Sequence, residues 1–97
     1  MIVGYSKMSL FFPNGASLKS KRQLLRSIVD KTKNRFNISV AEVEDHNLWQ
    51  KATLGIAYVS LTDFQAKKTL RSIGDYIDSL GKGRISDYRI ETVKIER

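Results

Sequence analysis

The chain has 97 residues, 41% of them apolar and 28% charged, with 17 basic residues against 10 acidic ones and a net charge of +7. That length gives one domain, residues 1–97, and excludes a second core, while the composition excludes a disordered polymer. With no cysteine, disulfides, thiol nucleophiles and thiolate metal sites are excluded as well.

In chain order, residues 2–12 alternate. Ile2, Met8, Leu10 and Phe12 share one parity with Gly4 and Ser6, and Tyr5, Lys7, Ser9 and Phe11 share the other. A period of two predicts a strand with one buried face. Pro13-Asn14-Gly15 is turn chemistry. Ser17 then stands as an N-cap before a helix over residues 18–35. Leu18, Leu25, Ile28, Val29, Thr32 and Phe36 mark its inner side, and Lys19, Arg22, Arg26 and Lys33 recur on the other.

Residues 37–44 read as a second strand whose apolar positions change parity, which a bulge or a strand buried on both faces explains. Asp45-His46-Asn47 is a turn, and residues 50–61 are a third strand, so the two pair as an antiparallel hairpin. Thr62 with Gln65 forms a capping box for a second helix, in which Ala66, Leu70, Ile73, Ile77 and Leu80 keep helical spacing. Gly81 ends it, and a last strand follows over residues 85–96. The order β-α-β-β-α-β predicts an α+β, ferredoxin-like split β-α-β sandwich. Its four-stranded antiparallel sheet carries both helices on one face.

The positive charge is local. From Ser17 to Phe36 seven bases stand against Asp30 alone, a charge of +6. Clustered Lys and Arg are what binding to a phosphate backbone requires; the same row also reads as a solvated helix face or as a surface for an acidic protein partner. Lys19 and Lys21 also oppose the dipole at the helix start, a local cost in stability. The third strand, Ala52-Thr53-Leu54-Gly55-Ile56-Ala57-Tyr58-Val59, lacks the motif by which RNA-recognition domains stack bases. His46 with Glu42, Glu44 and Asp45 offers ligand chemistry. Alternation places both glutamates on one face with one histidine nearby, so the cluster reads as a hydrated acidic turn and no metal is expected. Trp49, at the hairpin base, is expected to cover the end of the core, with a partner contact as its alternative. Neither Asn14-Gly15-Ala16-Ser17 nor Gly81-Lys82-Gly83-Arg84 has P-loop spacing. The first residues lack a signal peptide's basic and apolar regions and no apolar run spans a bilayer, so the expected location is the cytoplasm, away from membranes.

The start Met1-Ile2-Val3-Gly4 and the helix opening Ser17-Leu18-Lys19-Ser20-Lys21-Arg22 resemble the YlxP-like family, small bacterial proteins classed as a domain of unknown function. So do the specific block Arg35-Phe36-Asn37-Ile38-Ser39-Val40-Ala41-Glu42-Val43 and the segments Leu48-Trp49-Gln50-Lys51-Ala52 and Leu54-Gly55. The resemblance implies a ferredoxin-like fold, in agreement with the element order. In many bacteria the family's gene lies near genes for translation initiation and ribosome maturation, which implies by association a link to RNA or the ribosome. It brings no catalytic residue.

The leading expectation is therefore a non-enzymatic binding module for structured RNA or the small ribosomal subunit, with Lys19, Lys21, Arg22, Arg26 and Lys33 on phosphates and no cofactor. The alternative is a homodimeric assembly domain that uses the open sheet face, with Val3, Tyr5, Phe11 and Trp49 in its interface.

Overall fold

A computed structural model describes residues 1–96. Six elements follow in order: β1 (Ile2–Phe11), α1 (Leu18–Arg35), β2 (Ser39–Glu44), β3 (Lys51–Ser60), α2 (Asp63–Ser79) and β4 (Arg84–Lys94). The strands form one antiparallel sheet in the order β2-β3-β1-β4. This is the ferredoxin-like βαββαβ architecture expected from the sequence.

The alternation of β1 decides which face is covered. Its even residues Ile2, Met8 and Leu10 are buried, while Tyr5 and Phe11 on the odd side are exposed. Leu54 and Ile56 of β3 lie opposite Met8 and Ser6 and share the covered side. Leu25 and Ile28 of α1 and Leu70, Ile73 and Ile77 of α2 pack into the same cluster. Each such side chain, once fully buried, stabilises the fold by about 1.5–3 kcal/mol. Both helices therefore lie on one face, and the other face of the sheet is left open.

Caps fix where the helices begin. Ser17 Oγ accepts from the Ser20 N–H at 3.1 Å, and Thr62 Oγ1 from the Gln65 N–H at 3.1 Å. The expected capping box is only half made, because the Thr62 N–H donates to Ser60 Oγ at 3.3 Å. Gly81, with φ 66°, takes the left-handed turn after α2.

The parity change in β2 is a bulge. Glu42 pairs with Leu54 but Glu44 with Thr53, so Val43 is the extra residue. Glu42 therefore turns toward α1 and Glu44 toward the open face. This corrects the expectation that alternation places both glutamates on one side.

Candidate nucleic-acid interface

The outward side of α1 is a ridge of cations. Lys19, Arg22, Arg26 and Lys33 are all exposed, and their spacing of three, four and seven residues keeps them in one stripe about 21 Å long. Asp30 is the one acid on this helix. The ion pairs among the described residues use Lys7, Lys21, Lys51, Lys67, Arg89 and Lys94. None of the four ridge cations is paired, so their charge faces water. Lys19, Arg22, Gln23 and Arg26 also frame a shallow depression of about 190 Å³. At the far end Arg35 lies over the Tyr76 ring, 4.9 Å from its centre, and Tyr76 meets Phe36 edge-on at 5.8 Å.

Lys21 does not belong to this ridge, contrary to the sequence-based expectation. Its side chain is fully buried. The ammonium donates to Glu42 Oε2 at 3.2 Å and to the backbone oxygens of Asp45, His46 and Lys51 at 2.9, 3.3 and 3.2 Å. Its helical phase explains this, because Lys21 precedes Leu25, Ile28 and Thr32 on the buried stripe. The charge is held by the β2–β3 turn and cannot reach a phosphate. The same contacts offset the cost of a cation in a helix first turn that has no acid.

That turn is built around Asp45. Its backbone sits at φ 67°, and its Oδ2 accepts from Thr53 Oγ1 at 2.6 Å, with Lys51 Nζ at 3.7 Å. The Thr53 hydrogen bond, helped by the Lys51 and Lys21 charges against a partial desolvation, holds the Asp45 carboxyl below the usual carboxylate range. A depressed acid stabilises the fold at neutral pH and loses that contribution as pH falls through its lowered value. The turn is therefore expected to loosen only below about pH 4. Trp49, the single tryptophan, lies in this turn, so its fluorescence follows the loosening. In Thr53→Val the change is expected at higher pH; an unshifted titration would show that Thr53 does not hold the carboxylate.

The residues expected at an interface are not gathered in one place. Val3 and Tyr5 lie near one end of the open face and Phe11 at the other end of β1, opposite Lys51. Trp49 is 50% exposed in the β2–β3 turn and does not close the core. Its short connection leaves the ring pointing outward, while Phe12 fills that end at 1% exposure. The two glycine-containing loops, by contrast, do meet. Pro13, Asn14 and Gly15 face Gly81, Lys82, Gly83 and Arg84 across a cavity of about 200 Å³.

The family model described as "Protein of unknown function (DUF503)" matches residues 3–90. Among curated proteins, the uncharacterised protein YlxP of Bacillus subtilis (strain 168) is 33% identical over 78 residues, covering 80% of this chain and 85% of that protein. Solved structures share the fold at low identity. A Deinococcus radiodurans protein described provisionally as an antibiotic biosynthesis monooxygenase superposes with a TM-score of 0.57 at 16% identity, over 100% of this chain and 94% of that one. A de novo designed ferredoxin-fold protein gives 0.52 at 14% identity, over 96% and 83%. At such identities the likeness is one of fold alone. With the family model matched over nearly its whole length and a relative one-third identical across four-fifths of it, this chain belongs to the YlxP-like DUF503 family.

Proposed function

We propose that this protein is a non-enzymatic module that binds structured RNA, with the small ribosomal subunit as its target, through the phosphate backbone along α1. The observation that carries this is the ridge: Lys19, Arg22, Arg26 and Lys33, exposed and unpaired among the described residues, over about 21 Å of one helix. A polyanion exchanges its condensed counterions for such a row, and the gain is entropic. Recognition is by shape. Tyr5 and Phe11 are six residues apart on β1, about 20 Å, so they offer no joint platform for stacked bases. The choice of RNA over DNA rests on the translation-gene setting that the family resemblance implies.

The test is charge reversal. Arg22→Glu with Arg26→Glu is expected to weaken binding to purified small ribosomal subunits by about 100-fold at physiological salt. Both side chains are exposed, so the unfolding midpoint is expected to stay put. Wild-type protein is expected to bind the subunits more tightly than duplex DNA of equal phosphate concentration. Unchanged affinity in the double variant would remove α1 as the contact. Equal binding to DNA and to subunits would leave only generic charge.

A further inference from the structure

The open face of the sheet is divided by register into rows, and two successive rows are apolar. Val59, Val3 and Val93 stand directly across β3, β1 and β4. Beyond them Met1 and Ile95 extend β1 and β4, with Ile95 tied to Met1 through its backbone N–H at 2.8 Å, and Leu61 follows β3 in the bend before α2. Exposure is 63% at Val59, 45% at Val93 and 92% at Leu61. Tyr5, 47% exposed, borders the valine row. Isolated exposed apolar residues are ordinary, but contiguous rows of them mark a surface that is covered.

We infer that a second copy of this chain covers the open face, sheet against sheet, with the valine row inside the contact. Charge chooses the occupant. Toward the middle of the face Lys7 pairs with Glu44 at 2.5 Å and Arg89 with Asp87 at 3.3 Å, and Glu91 stands beside Tyr5. With Lys51 and Arg84, which flank Phe11 at the far end, four bases stand against three acids, so this face is close to neutral. A phosphate backbone gains nothing there, whereas two such faces meet without repulsion. The helix faces, each with its unpaired ridge, repel one another. A sheet-to-sheet pair puts the two ridges on opposite outer surfaces, so the inference does not compete with polyanion binding and does not depend on it. Area agrees. The four strands hold 10, 6, 10 and 11 residues, and at about 3.3 Å per residue and about 4.8 Å between strands they present roughly 600 Å² in projection. Side-chain relief raises that toward the ~800 Å² per partner of a standard interface. Ala41 and Ala57 are small on the same side, and Val43 lies over Gly55, adding one more exposed apolar side chain to the face.

Sedimentation of the wild type from about 1 to 500 μM tests this. The wild type is expected to reach twice the chain mass within that range. Val59→Lys with Val93→Lys, both at exposed positions, is expected to raise the dimer dissociation constant by about 100-fold. Val59→Thr with Val93→Thr keeps β-branched side chains and covers the case in which the lysine pair disturbs folding; it is expected to weaken the dimer in the same direction. Single-chain mass for the wild type throughout would overturn the inference. So would double mass retained by a folded lysine variant, which would place the contact elsewhere. Ribosomal binding by α1, measured separately, stands or falls on its own.

Discussion

Lys21→Met is expected to destabilise the fold by about 3 kcal/mol. Methionine replaces the aliphatic stem but leaves the carbonyls of Asp45, His46 and Lys51 without their shared donor. Glu42, 21% exposed at its side chain, loses its partner as well. A buried acceptor without a donor costs about 1–3 kcal/mol, and several are orphaned here. Urea unfolding measures the loss as a lower midpoint at unchanged slope. Glu42→Gln keeps an acceptor oxygen for the Lys21 ammonium but removes the charge of the pair, and is expected to cost about 1 kcal/mol. The pair of variants also separates structure from binding. Under conditions where Lys21→Met stays folded, its affinity for RNA is expected to equal that of the wild type. A loss comparable to that of the Arg22 and Arg26 variants would return Lys21 to the binding surface.

Gly74→Ala is expected to destabilise by about 2 kcal/mol, although the same change in an open helix stabilises by about 1 kcal/mol. Gly74 is buried on α2, and a Cβ there would lie 2.7 Å from Tyr88 Cε2 and 3.1 Å from its Cδ2. The ring cannot swing away freely. It is packed against the core from β4, and its hydroxyl donates to the Leu70 carbonyl at 2.5 Å. Either α2 lifts from the sheet or that hydrogen bond breaks. Tyr88→Leu in the Gly74→Ala background is expected to recover part of the loss, because the leucine is shorter at the point of collision. A gain in stability from Gly74→Ala alone would show that the ring yields without cost.

Periodicity made the architecture legible because each element has one dominant period. The 18–35 helix, the N-caps Ser17 and Thr62 and the closing Gly81 all follow from local chemistry, and the structure places them there. Lys21 shows where that reasoning stopped. It lies at the same helical phase as Leu25, Ile28 and Thr32, and phase alone pointed inward. Lysine is so seldom fully buried that its type outweighed its position. Its acceptors also come from a turn more than twenty residues away, which no local pattern reveals. The split of Glu42 from Glu44 was hidden for a related reason, since a one-residue bulge reverses the side a residue faces. The apolar end of the open face needs a register as well as an alternation. Val59 and Val93 become neighbours of Val3 only when β3 and β4 are aligned on β1. Trp49 misled by size: a large ring suggests burial, but a turn residue has little core to enter.

The salt dependence of binding to small ribosomal subunits tests most directly whether the α1 ridge holds phosphates. Four contacts on structured RNA predict that the logarithm of the binding constant falls against the logarithm of salt concentration with a slope of about −3.6. Arg22→Gln with Arg26→Gln, which removes two of the four charges without reversing them, is expected to halve that slope. A wild-type slope near zero, or an identical slope in the variant, would contradict the assignment of α1 as the binding surface.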